Sequence, residues 1–152
     1  MSSALPSGPP VKEYRLYLSG FVQLMIFFGF GLFTAFAILM LAGVIPTPRG
    51  PVGRPFGIVW LGIAAFVWYR VLTMPHRIEV FADGRIRFVS LLRRIVVSPR
   101  DVESITPTSG QIGFFVLKHS AGQILFIGQF EGFHEFLSDL KAANPSVLLR
   151  GC

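Results

Sequence analysis

Residues 75–105 read PHRIEVFADGRIRFVSLLRRIVVSPRDVESI, and their pattern decides the fold. Apolar and polar side chains alternate in RIEVF (77–81) and again in RIRFVSLL (85–92). That period of two predicts strands with one covered face. The Ala82-Asp83-Gly84 between them is a hairpin turn signal. RRIVVS (93–98) predicts a third strand, and SPRDVESI (98–105) ends in a short one through Ile105. After the TPTSG loop (106–110), GFFVLKHS (113–120), a turn at Ala121-Gly122 and QILFIGQF (123–130) predict a further pair. In GFHEFLSDLKAA (132–143), Phe133, Phe136, Leu137 and Leu140 fall at i, i+3, i+4 and i+7, the spacing of an amphipathic helix. Asn144-Pro145 ends it. About six short antiparallel strands followed by one helix are expected, with Ile78, Val80, Ile86 and Phe88 on the covered face.

Upstream the character changes. No charge occurs from residue 16 to residue 48, and mean hydropathy over the chain is +0.61. An uncharged apolar run beyond about 18 residues predicts a transmembrane helix. Residues 16–45 are expected to form one such helix, and a signal peptide's apolar core is shorter. PTPRGPVGRP (46–55), with four prolines, predicts a turn. FGIVWLGIAAFVWYRVLTM (56–74) predicts a second span, with Trp68 and Tyr69 as an interfacial belt and Arg70 snorkelling. The expected organisation is an extended N-terminal tail (1–15), a transmembrane hairpin (16–75), a water-facing domain (76–145) and a C-terminal tail (146–152).

The net charge of +6 does not point to nucleic acid. Residues 1–75 hold five basic side chains against one acidic, whereas residues 76–152 hold nine against seven. The excess therefore flanks the apolar runs. Lys12, Arg15, Arg70, Arg77, Arg85 and Arg87 flank the expected hairpin, and only Arg49 and Arg54 lie in its turn. This bias predicts both termini in the cytoplasm. The single cysteine, Cys152, makes no intrachain disulfide.

The hairpin followed by a bent antiparallel sheet and closing helix resembles the bacterial pleckstrin-homology-like domains of small membrane proteins. RIEVFADGRIRFVSLLRRIVVSPRDVESI and EGFHEFLSDLKAAN carry the resemblance, over about residues 75–145. It departs from the full fold in having about six strands rather than seven. The fold class expected is a membrane α-hairpin plus α+β: two transmembrane helices, then a small antiparallel sheet or partial barrel capped by a C-terminal helix. The resemblance implies a multi-pass protein of the bacterial inner membrane carrying a cytoplasmic pleckstrin-homology-like domain.

Pleckstrin-homology domains that bind phosphoinositides place a basic residue, a variable loop and then basic-x-Arg on the next strand. Arg77, Arg85 and Arg87 fit this loosely, although Arg77 begins its strand and the Asp-Gly turn is tight. Arg93 and Arg94 at a hairpin tip extend the candidate contact surface for lipid or a partner. His76, His119 and His134 lie outside both apolar runs and predict neither haem nor chlorophyll ligation, and Ser138 occupies the place of the second histidine of a zinc-protease helix. No nucleophile elbow, phosphate loop or paired carboxylates suggest catalysis. No metal and no cofactor ligand are expected. Gly29, Gly53, Gly57 and Gly62 are candidate helix-packing positions, with the two helices packing on each other as the simplest use. The many phenylalanines offer a surface for structural lipid, a carotenoid or neighbouring helices.

Two functions lead, ahead of a third in which the chain is a stress or cell-envelope factor acting as a homo-oligomer through its glycine faces. One is a non-catalytic accessory or scaffolding subunit among integral membrane subunits in the bilayer. Photosynthetic-complex assembly proteins include members with this kind of domain, so an energy-transducing host is the analogy. The other is a free-standing sensor that binds anionic lipid through Arg77, Arg85, Arg87, Arg93 and Arg94.

Overall fold

The long apolar runs satisfy their backbone groups internally and form helices. A computed structural model of the chain describes residues 8–16, 20–44, 53–108 and 113–151, with side chains of the two long helices described from Phe27 and Pro55 onward. Helix α1 is Gly20–Leu41 and helix α2 is Gly53–Thr73. Gly43, at φ +73°, closes α1. Its N–H donates to Met40 O at 3.2 Å and that of Val44 to Leu39 O at 3.0 Å, which requires the left-handed conformation open to glycine. Pro55 lies in the first turn of α2, where no N–H is needed.

The two helices belong to one compact unit, Leu18–Leu72. Phe27 meets Trp68 at 5.6 Å between ring centroids and Phe33 meets Trp60 at 5.9 Å, so the pair is antiparallel. Trp68 Nε1–H donates to Thr34 Oγ1 at 3.2 Å, and the Thr34 hydroxyl donates to Phe30 O at 2.7 Å.

The two-span reading is corrected. Among the described residues one helical stretch, Pro55–Thr73, has the length and apolarity to cross a membrane; the apolar stretch Phe27–Leu41 is shorter. A multi-pass arrangement with both termini on the cytoplasmic face therefore lacks support. Counting apolar residues from 16 overran the helix. Leu16 instead forms a β-bridge with Phe130, and its N–H donates to His76 O at 3.0 Å.

The second unit comprises Met1–Tyr17 and Thr73–Cys152. One sheet has the order β1-β2-β3-β4, with β1 Lys12–Arg15, β2 Arg77–Val80, β3 Ile86–Val89 and β4 Arg94–Val97, all antiparallel. A 3₁₀ turn at Pro99–Asp101 leads into the second sheet. Its order is β7-β6-β5-β8, built from β5 Val102–Pro107, β6 Phe114–His119, β7 Gly122–Ile127 and β8 Leu148–Leu149, with β8 parallel to β5. Helix α3, Phe133–Ala143, lies between β7 and β8 in the chain.

The fold class thus differs from a helical hairpin followed by one capped sheet. Among the described residues there are two four-stranded sheets; one recruits β1 from before the helices, and β8 follows α3. The stretch expected as an extended tail contains β1 because its alternation buries Tyr14, whose ring meets Phe136 edge-on at 5.7 Å. The last residues include β8 because Arg150 N–H donates to Ile105 O at 3.1 Å beyond the β8 pairing.

Both sheets and α3 share one core. Ile78, Ile86 and Phe88 of the first sheet join Ile105, Leu117, Ile124 and Phe126 of the second. Val80 is half-buried at its edge. The buried residues of α3 are Phe133, Phe136, Leu137 and Leu140, as its spacing predicted. Burying side chains of this size contributes roughly 1.5–3 kcal/mol each. Gly132 precedes α3 at φ +75°, and a Cβ there would meet the Tyr14 ring at 3.0 Å. The helix start is therefore fitted against β1.

Candidate functional site

The five arginines separate into two groups. β2 and β3 pair Glu79 opposite Arg87, and β1 pairs Glu13 opposite Glu79. Directly opposed residues share a sheet face, so one face carries the row Glu13, Glu79, Arg87. Arg87 Nε donates to Glu79 Oε2 at 2.5 Å, while its guanidinium carbon lies 4.8 Å from the Phe81 ring centroid. Arg77 Nη1 donates to Glu13 Oε1 at 3.3 Å. Its buried Nε lies 3.1 Å from Glu79 Oε1 but makes no aligned hydrogen bond, so that contact is ionic only. Arg15 also pairs with Glu13, at 2.8 Å. Hydrogen bonding from Arg15 is the main cause that holds the Glu13 carboxyl below the usual range. Arg85 Nε donates to Asp83 Oδ2 at 2.7 Å in the hairpin loop, and this holds Asp83 low as well.

Arg77, Arg85 and Arg87 are therefore already engaged by carboxylates of their own sheet. Arg93 and Arg94 are not. They are exposed, and no side-chain partner meets them among the described residues. They follow Leu91 and Leu92, which are 65% and 61% exposed. The β3–β4 loop is closed by Ser90, whose N–H and hydroxyl both donate to Arg93 O, at 2.9 and 2.7 Å. The result is a hairpin tip closed by two hydrogen bonds and bearing two exposed leucines and two guanidinium groups.

A second charged cluster joins β1 to α3. Lys12 Nζ donates to Glu135 Oε1 at 2.8 Å and to Asp139 Oδ2 at 2.6 Å; Tyr14 Oη donates to Asp139 Oδ2 at 3.1 Å. The Lys12 bond is the main cause that lowers the Asp139 carboxyl, and the Lys12 ammonium is raised in return. Burial first, then the Asp139 bond, pushes the Tyr14 phenol up to about 12. Sequence reasoning placed Lys12 beside a membrane and missed this tie. Its signal was the K-E-Y-R alternation, which puts Tyr14 on the opposite side from Glu13 and Arg15.

Of the candidate packing glycines, Gly57 makes the close approach: a Cβ there would lie 2.9 Å from Leu41 Cδ2. A Cβ at Gly29 or Gly62 would meet nothing within 4 Å, so neither position requires glycine for packing. Gly53 opens α2, and its side-chain surroundings lie outside the described residues. An apolar groove between α1 and α2 is lined by Phe33, Phe36, Ala37, Met40, Phe56 and Trp60. Among the described residues no group of three His, Cys, Asp or Glu side chains is placed to hold a metal. His119 Nδ1 accepts from the Ala121 N–H at 3.3 Å, a turn contact. No protein-family model matches the chain, and no curated protein matches it.

Proposed function

We propose that the protein is a non-catalytic accessory subunit of a larger membrane-embedded assembly. The observation that carries this reading is the outward face of the helical unit. Phe28 on α1 is 68% exposed and Phe66 on α2 is 63% exposed, with Leu32, Phe33, Ile58 and Ile63 also outward. Helices that are apolar all round need apolar surroundings on every side. Rigid phenylalanine rings on both helices offer contact area to neighbouring helices or lipid, and the small groove between them admits an apolar side chain or the end of an acyl chain. The β unit, resembling a pleckstrin-homology-like module, then serves as the polar docking body.

A sensor acting through all five arginines is less well supported, because carboxylates of the same unit already occupy Arg77, Arg85 and Arg87. The deciding experiment is purification of the untagged-terminus protein from its own membranes in a mild detergent, with mass spectrometry of what co-migrates. A stoichiometric set of integral membrane subunits is the expected result. Elution alone, or as a small homo-oligomer, overturns the proposal.

A further inference from the structure

We infer that the β3–β4 hairpin tip, Leu91-Leu92-Arg93-Arg94, is a docking site for an anionic phospholipid surface. Hairpin turns favour Gly, Asn, Asp, Ser and Pro, each for a backbone reason. Two leucines at a tip supply none of these, and neither is part of the core. Both lie beyond the end of β3 and more than half exposed. The two arginines that follow also differ from their neighbours. Arg15, Arg77, Arg85 and Arg87 in the same sheet and its loop each meet a carboxylate, whereas Arg93 and Arg94 meet none among the described residues. Apolar side chains that enter the headgroup boundary, beside guanidinium groups that pair with phosphate, form the chemistry of an interfacial anchor.

Register favours lipid over an acidic protein as the occupant. Val89 pairs with Arg77, and His76 N–H donates to Val89 O at 2.9 Å. The tip thus leaves the sheet at the same end as the start of β2. That start follows the end of α2 by only a few residues, Thr73 to Arg77. Among the described residues Pro55–Thr73 is the helical stretch with the length and apolarity to cross a bilayer, and only residues 74–76 separate it in the chain from the start of β2. The inference does not depend on the accessory-subunit reading, since it requires no second protein.

The test uses the full chain with Cys152→Ser and Leu92→Cys, labelled at the new thiol with an environment-sensitive fluorophore. The protein is placed in nanodiscs of phosphatidylcholine, with or without phosphatidylglycerol. In the anionic discs the label is expected to shift to the blue and to become several-fold less accessible to acrylamide. Arg93→Gln with Arg94→Gln should lower the docked-to-undocked ratio by roughly 30-fold. A control label from Ala121→Cys, at the exposed β6–β7 turn, should report the same accessibility in both discs and thereby show that the protection is confined to the tip. Equal accessibility at position 92 in both discs overturns the inference, and so does equal protection in both. Protection that arises only when a co-purified acidic protein is added overturns it in favour of a protein partner. None of these readouts depends on which subunits co-purify, so failure here is separate from failure of the proposed function.

Discussion

Glu79 and Arg87 lie directly opposite each other on β2 and β3, and Arg87 Nε donates to a Glu79 side chain that is only 4% exposed. Glu79 also contacts Arg77, so one nearly buried carboxylate balances two guanidinium groups. Replacing it leaves Arg87 without a carboxylate and Arg77 with Glu13 alone. Glu79→Ala is expected to destabilise the β unit by about 2–3 kcal/mol, between the values for exposed and buried pairs. Arg87→Leu in the same chain should recover part of that loss. Hydrogen exchange of the β2 and β3 amides in the detergent-solubilised protein measures both; a loss below about 0.5 kcal/mol, the range of ordinary surface substitutions, would count against this role.

Gly57 and Gly62 occupy one helix but should respond in opposite directions. A Cβ at Gly57 meets Leu41, whereas Gly62 faces open space. Gly57→Val is expected to cost about 1–3 kcal/mol through overpacking, with Leu41→Ala restoring much of it. Gly62→Ala should be neutral or stabilising by up to about 1 kcal/mol, from helix propensity. Thermal unfolding of the helical signal in detergent compares them, and equal effects at the two sites would refute the close approach at Gly57.

Asn144 does more than end a helix. Its Nδ2 donates to Pro99 O at 2.8 Å and to Val102 O at 2.9 Å, while its Oδ1 accepts from the Ser146 N–H at 3.1 Å. The side chain is buried, so it latches the end of α3 to the link between the two sheets. Asn144→Asp turns the donor pair into acceptors facing two carbonyls. It should cost about 2 kcal/mol or more, and exceed the cost of Asn144→Ala. Denaturant unfolding of the two variants gives the order; the reverse order would remove the latch.

The tie between β1 and α3 should weaken at both ends of the pH scale. Asp139 has a lowered folded pKa, so its contribution is present above the unfolded value of about 4 and is lost as pH falls through the folded value. Tyr14 is raised to about 12, so the neutral phenol's contribution is complete below about 10 and is lost as pH rises toward 12. An ultraviolet phenolate titration of the native chain against Tyr14→Phe should place the missing phenol near the upper value. Ionisation near 10 would show that Tyr14 is not held as described.

Local pattern was enough for much of the β unit. The alternation in 77–97, the Asp83-Gly84 loop and the i, i+3, i+4, i+7 spacing of α3 are properties of neighbouring residues, so the sequence alone determined them. It also marked the apolar helices and the arginines worth testing. What it could not determine is which distant groups meet. β1 reaches β2 across the whole helical unit, and β8 joins β5 after α3. Those pairings decide that Lys12–Arg15 is a strand and that Leu16 is a bridge residue rather than the start of a helix. They also bring Glu13 to Arg77, 64 residues away, and so decide which arginines are neutralised and which stay bare. Periodicity records how each segment faces its surroundings; charge compensation depends on contacts between segments, and those exist only once the chain has closed on itself.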